Sequence, residues 1–113
     1  MYVEANVSTA SDIARLCYFT MKNSQFRSVV KVTYREVLSE SEKGHMYKWD
    51  NTNFLLKSNP ACTGIKTGIT WAAGPCLAAS MRANGFHIGV VVLACSTMNS
   101  RWYEVPKLVE WGA

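Results

Sequence analysis

The sequence predicts an α+β fold: an antiparallel β-sheet with flanking N- and C-terminal helices. Three observations predict it. Thr9 to Met21 carries apolar residues at helical spacing, Thr63 to Cys95 holds three β-rich runs separated by short turn signals, and Ser100 to Trp111 returns to helical character. Strands joined by connections this short pair antiparallel, because a parallel pair needs a crossover of about a dozen residues or more.

Each element follows from local chemistry. Ser8-Thr9-Ala10-Ser11-Asp12 reads as a helix start, with Thr9 and Asp12 at capping-box spacing, and the helix runs to about Met21. Ala10, Ile13, Ala14, Cys17 and Met21 form one apolar face, widened by Leu16. A short segment, Gln25 to Val30, leads into an alternation in which Val30, Val32 and Tyr34 oppose Lys31, Thr33 and Arg35, as in a half-exposed strand. Ser39 to Gly44 is a turn, His45 to Trp49 a returning strand, and Asp50 to Asn53 a cap for a short helical turn. After Asn59-Pro60 come strands at Thr63 to Thr70, Cys76 to Ala83 and Phe86 to Cys95, with Asn84-Gly85 as a hairpin signal. The closing helix contains Pro106, which suits only a first turn or a kink.

Residues 1–113 contain no repeat, low-complexity tract or linker, and are assigned to a single domain. With 49% hydrophobic and 18% charged residues, the chain builds at most one compact core. Its net charge of +4 arises from 12 basic and 8 acidic residues without a charged run, which argues against a nucleic-acid partner and is compatible with an anionic ligand such as a peptide carboxylate. Cys17, Cys62, Cys76 and Cys95 form no Cys-x-x-Cys pair and stand apart from His45 and His87, so no metal or other cofactor is predicted. Cys17, Cys76 and Cys95 lie in apolar runs, as buried free thiols do. No signal peptide is read at Met1 to Asn6, the compartment is left open, and no apolar run approaches the length of a membrane span.

The most informative stretch is Gly64-Ile65-Lys66-Thr67-Gly68-Ile69-Thr70, which combines a cation, a hydroxyl and glycines in one predicted strand. Lysine supplies positive potential, a threonine hydroxyl can bind a carboxylate oxygen, and a residue without Cβ lets another backbone approach. Those are the needs of a site that reads the C-terminal end of a peptide. The plainer reading is an ordinary strand with solvent-facing Lys66 and Thr67 and a bulge at its glycines.

The surrounding residues resemble the penicillin-recognising serine D-alanyl-D-alanine carboxypeptidases, in their C-terminal part, over nearly the whole chain. The resemblance runs in order through Asn6-x-Ser8-Thr9-Ala10-x-Asp12, Phe26-Arg27-x-Val29-Val30 and Asn51-Thr52-Asn53-x-Leu55-Leu56. It continues through Gly64-Ile65-Lys66-Thr67-Gly68-x-Thr70, Ala73-Gly74-x-Cys76-Leu77-x-Ala79-Ser80, Gly85 and Val90-Val91-Val92-Leu93. It implies a partial β-lactamase/transpeptidase-like fold and a site in which a Ser-x-x-Lys serine attacks, a Ser-x-Asn motif relays protons and a Lys-Thr-Gly strand orients substrate. Carried over, Lys66 is catalytic through its positive potential and proton relay, Thr67 binds the terminal carboxylate, and Gly68 and Thr70 complete the substrate strand. The N–H of Ile69 becomes an oxyanion donor, a class of interaction worth about 2.7 to 4 kcal/mol. The ligand implied is a peptide ending in D-Ala-D-Ala, or a β-lactam, and family members are typically exported.

Only the third motif is present. Ser28-Val29-Val30-Lys31 matches Ser-x-x-Lys as a pattern, but the family's nucleophile opens a long helix far upstream, whereas Ser28 falls in a segment the resemblance already accounts for. There is no Ser-x-Asn, and Thr97-x-Asn99 follows the lysine strand instead of preceding it. Residues acting as a unit lose activity together, so this chain is expected to be inactive alone. His45 and His87 read as structural, as do most aromatics, with Trp71 placed to wall a cleft beside the Lys-Thr-Gly segment. The competing reading is a non-catalytic structural or interaction module whose uncovered sheet packs against a protein partner.

Overall fold

The computed structural model describes residues 6–113, so Met1 to Ala5, read above for an export signal, lie outside the described residues. The elements in order are α1 (Ala10–Thr20), α2 (Ser24–Val30), β1 (Tyr34–Leu38), β2 (Met46–Asp50), α3 (Leu55–Ser58), β3 (Cys62–Gly68), β4 (Cys76–Ala83), β5 (Phe86–Val92) and α4 (Ser100–Gly112). The predicted helix-flanked antiparallel sheet is present as a three-stranded sheet in the order β3-β4-β5, and β1 and β2 form a separate two-stranded sheet.

Strand alternation builds the core. On β4, Leu77, Ala79 and Met81 point to one face, and their partners on β5 are Val92, Val90 and Ile88. Leu77, Ala79, Met81 and Val90 are buried there with Val105 and Val109 of α4, Leu55 of α3 and Cys62. The opposite face carries Ala78, Ser80 and Arg82 against Val91, Gly89 and His87, and α1 lies over it. The β4–β5 turn confirms its signal: Asn84 and Gly85 both have positive φ, 51° and 80°, as a type I′ turn requires.

Several boundaries differ from the sequence reading. The alternation from Val30 to Arg35 does not start a strand at Val30. Asn23 caps a helix by accepting from the Phe26 N–H at 3.0 Å, so residues up to Val30 are helical and pairing begins at Tyr34. The last strand ends at Val92, because Ala94 takes a left-handed backbone with φ of 53° and breaks the ladder. α1 is capped by Thr9, which accepts from the Asp12 N–H at 3.1 Å, yet its apolar face is only half covered and Leu16 is exposed. Pro106 lies inside α4, beyond the first turn, between the buried Val105 and Val109. Of the cysteines, Cys62 is buried while Cys17, Cys76 and Cys95 are half-buried, and all four are free thiols.

Candidate functional site at the β3 edge

β3 is an edge strand of its sheet, which is the placement a peptide-reading strand needs. Its first half is covered: Gly64 and Ile65 are buried, and α2 and α3 pack against the strand. A Cβ on Gly64 would stand 2.9 Å from Cγ2 of Val30, so the glycine is what allows α2 to approach. The second half emerges from this packing. Lys66, Gly68, Ile69 and Thr70 are exposed and Thr67 is half-buried.

Register places Lys66 opposite Ala78 and Thr67 opposite Leu77, so their side chains leave from opposite faces as alternation dictates. The lysine side chain folds back, however, and its Nζ donates to the Thr67 carbonyl at 2.8 Å. This brings the ammonium to the backbone beside the threonine instead of leaving it over the far face. Among the described residues, no carboxylate pairs with Lys66. The Thr67 hydroxyl is hydrogen-bonded to that of Thr52. A hydroxyl has one donor and two acceptor sites, so the bond fixes the Thr67 rotamer and leaves further capacity. Beside Gly68 the space is open, with no atom within 4 Å of where a Cβ would stand. Thr70 Oγ1 accepts from the Ala73 N–H at 2.9 Å and shapes the turn that follows. Trp71 is fully exposed and walls nothing in this structure.

The strand is anchored from below by Asn51-Thr52-Asn53, a stretch the sequence reading took as a helix cap and as part of the family resemblance, without a role in holding the strand. Asn53 is fully buried, and its Nδ2 donates to the Gly64 carbonyl at 3.0 Å while its Oδ1 accepts from the Leu55 N–H at 3.1 Å. Asn51 accepts from the Asn53 N–H at 2.9 Å and donates through Nδ2 to the Val32 carbonyl at 2.9 Å. The Cys62 thiol donates to the same Gly64 carbonyl at 3.2 Å. Burial pushes its pKa up, and the hydrogen bonds to Gly64 and Asn53 offset only part of that rise.

Sequence reasoning missed Arg101. It is buried on α4, where its guanidinium donates to the Met98 carbonyl at 2.9 Å and the Cys76 carbonyl at 3.2 Å and lies 4.5 Å from the Trp102 ring centre. Cys76 is the register partner of Gly68, so a buried cation without a carboxylate partner among the described residues stands one strand in from the Lys-Thr-Gly segment. A signal for it existed. Arg101, Val105 and Val109 follow four-residue spacing, so the arginine occupies a core position of the α4 stripe.

Ser28 is exposed on α2, and its hydroxyl donates to the Gln25 carbonyl at 2.7 Å within its own helix, while Lys31 caps that helix. His45 lies against Tyr47 with ring centres 4.4 Å apart, and His87 is exposed on β5. No helix among the described residues is long and apolar enough to cross a membrane.

Comparison with known proteins places the chain in a family. Residues 2–97 match the family model for D-alanyl-D-alanine carboxypeptidase. The chain is 33% identical to the D-alanyl-D-alanine carboxypeptidase of Streptomyces sp. (strain K15), aligning over 96% of this chain and 38% of the relative. It is 32% identical to D-alanyl-D-alanine carboxypeptidase DacF of Bacillus subtilis (strain 168), over 96% of this chain and 27% of that protein. It thus spans well under half the length of these relatives. The crystal structure of the Streptomyces K15 DD-transpeptidase superposes with a TM-score of 0.89 at 31% identity, covering 97% of this chain and 43% of that one. Penicillin-binding protein D2 from Listeria monocytogenes, in its cefotaxime-bound form, superposes with a TM-score of 0.77 at 26% identity, over 97% and 43% of the two chains. An edge strand bearing Lys66-Thr67-Gly68 on this sheet, together with a family match over most of the sequence, makes the chain a member of the serine D-alanyl-D-alanine carboxypeptidase family.

Proposed function

We propose that the β3 edge reads the C-terminal end of a peptide ending in D-Ala-D-Ala, or a β-lactam, for a serine carboxypeptidase site whose attacking serine is not among these residues. The observation that carries it is the exposed end of an edge strand where an ammonium with no carboxylate partner among the described residues, a hydroxyl with spare capacity and a glycine beside open space are consecutive. Lys66 supplies positive potential and, in the assembled site, takes part in proton relay. Thr67 binds the terminal carboxylate, with Arg101 adding positive potential from beneath, and Gly68 admits the peptide backbone. The N–H of Ile69 donates to the oxyanion, and Thr70 holds the turn that orients it.

Residues 1–113 then act as one partial domain, which binds without turning over. The second reading, a non-catalytic module covered by a protein partner, draws on the exposed apolar side chains of α1 and α2, Leu16, Phe19 and Val29. One titration separates the two. A peptide ending in D-Ala-D-Ala is expected to shift the backbone amide resonances of Lys66 to Thr70, and amidation of its carboxylate or Thr67→Val is expected to weaken binding about tenfold. Equal response to the free acid and the amide, or none at these amides, contradicts a carboxylate-reading edge.

A further inference from the structure

Two adjoining cavities lie beneath α1 and α2, on the face of the sheet that α1 covers. The smaller, about 140 Å³, is lined by Met21, Arg27, Lys31, Thr63, Arg82 and His87. Three cations from two separate elements meet there with a histidine from a third, and among the described residues no carboxylate lines the space. Among the described residues, Arg27, Lys31 and Arg82 form no ion pair. Arg27 is held in place, its Nη1 donating to the Met21 carbonyl at 2.7 Å, and Arg82 stands opposite His87 in the β4–β5 ladder.

Arg27 and Lys31 are four residues apart at the end of α2, a spacing at which like charges repel. Attraction to the C-terminal end of the helix offsets part of this, but it does not account for Arg82 arriving from the sheet. A tetrahedral oxyanion shared by the three relieves the repulsion, and guanidinium groups match phosphate oxygens two at a time.

The larger cavity, about 380 Å³, opens between α1 and the sheet, with Ala14, Cys17, Tyr18, Ile65 and Val91 in its apolar wall. Met21 and His87 line both cavities, so the apolar space and the cationic space meet at that pair. A ligand filling both needs an apolar chain and an anionic head. We propose that this composite site binds a single-chain amphiphile with a phosphate head, the phosphate among Arg27, Lys31 and Arg82 and the chain between α1 and the sheet. Arg82 is four residues along β4 from Ala78, the partner of Lys66, or about 13 Å, so the phosphate end of this site stands apart from the peptide-reading edge, while Ile65, next to Lys66, lies in the wall of the apolar end.

The test uses the 113-residue chain and three probes: dodecyl phosphate below its micelle concentration, inorganic phosphate, and dodecyl maltoside, which has the same alkyl chain on a neutral head. Dodecyl phosphate is expected to bind saturably and at least about tenfold more tightly than either other probe, by calorimetry at fixed ionic strength. Lys31→Gln with Arg82→Gln, both at exposed positions, is expected to weaken it about tenfold with the circular dichroism spectrum unchanged. Lys43→Gln, in the turn between β1 and β2, is expected to have no effect. The proposal is overturned if the neutral amphiphile or inorganic phosphate binds as tightly as dodecyl phosphate, or if the double variant binds like the parent.

Discussion

Asn53 has no solvent exposure, and both ends of its side-chain amide are engaged, with the Gly64 carbonyl and with the Leu55 N–H. Asn53→Ala leaves the buried Leu55 N–H without a partner and the Gly64 carbonyl with the Cys62 thiol alone, and an unpaired buried group carries a desolvation cost of about 1 to 3 kcal/mol. A fall in urea unfolding free energy of at least that size is expected, whereas a loss below about 0.5 kcal/mol would show that water replaces the amide. Cys62 makes a pH-dependent contribution through the same carbonyl. Its folded-state pKa is raised by burial above the unfolded value of 9.0, so its stabilising effect is complete below that value. It is lost as pH rises through the folded value, because the unfolded chain releases the thiol proton first. Urea midpoints should therefore fall as pH rises above about 9, and Cys62→Ala should flatten the fall. The half-buried Cys17 shares the direction and remains in both proteins, so the difference between them isolates Cys62. From sequence, Lys66 and Thr67 were legible as candidates, since a cation, a hydroxyl and a glycine in succession have a use, and their strand lies at the sheet edge. Asn53 and Arg101 were not, because what distinguishes a buried amide or guanidinium is the set of carbonyls around it, and those come from residues distant in sequence.

At the scale of elements, the approach of α2 to β3 decides whether the edge strand is held. The Cβ missing at Gly64 would stand 2.9 Å from Cγ2 of Val30 and 3.4 Å from its Cβ. Valine is stiff about its first torsion, so it cannot swing clear. Gly64→Ala is expected to destabilise the fold by about 1 to 3 kcal/mol, and adding Val30→Ala should recover part of the loss. Additive losses in the thermal unfolding of the double variant would show that the two do not meet. This contact also explains where the sequence reading slipped. Val30, Val32 and Tyr34 alternate as in a strand, but Asn23 caps a helix and the last turn of α2 needs Val30 on the glycine of β3. Tertiary packing overrode a local period. Where local chemistry is self-sufficient, the reading held: Thr9 caps α1, and Asn84-Gly85 turns β4 into β5.

Across the whole molecule, surface is the telling quantity. The accessible area is 8457 Å², against about 6,200 Å² for a compact monomer of this mass. Large apolar side chains contribute to that surface: Leu16, Phe19 and Val29 on α1 and α2, Trp49 on the β1–β2 hairpin and Trp71 beyond β3 are all exposed. Composition announced a globular chain and could not announce this, because apolar content does not reveal what will cover it. The proposed peptide-reading edge and the half-covered helices belong together, on a scaffold that superposes on 43% of a solved DD-transpeptidase chain. The central claim is that the β3 edge supplies recognition and no attacking oxygen. Incubating the chain with a fluorescent β-lactam and mapping the peptides measures this directly. The account predicts no covalent adduct at any serine, and an adduct on Ser28 would contradict it.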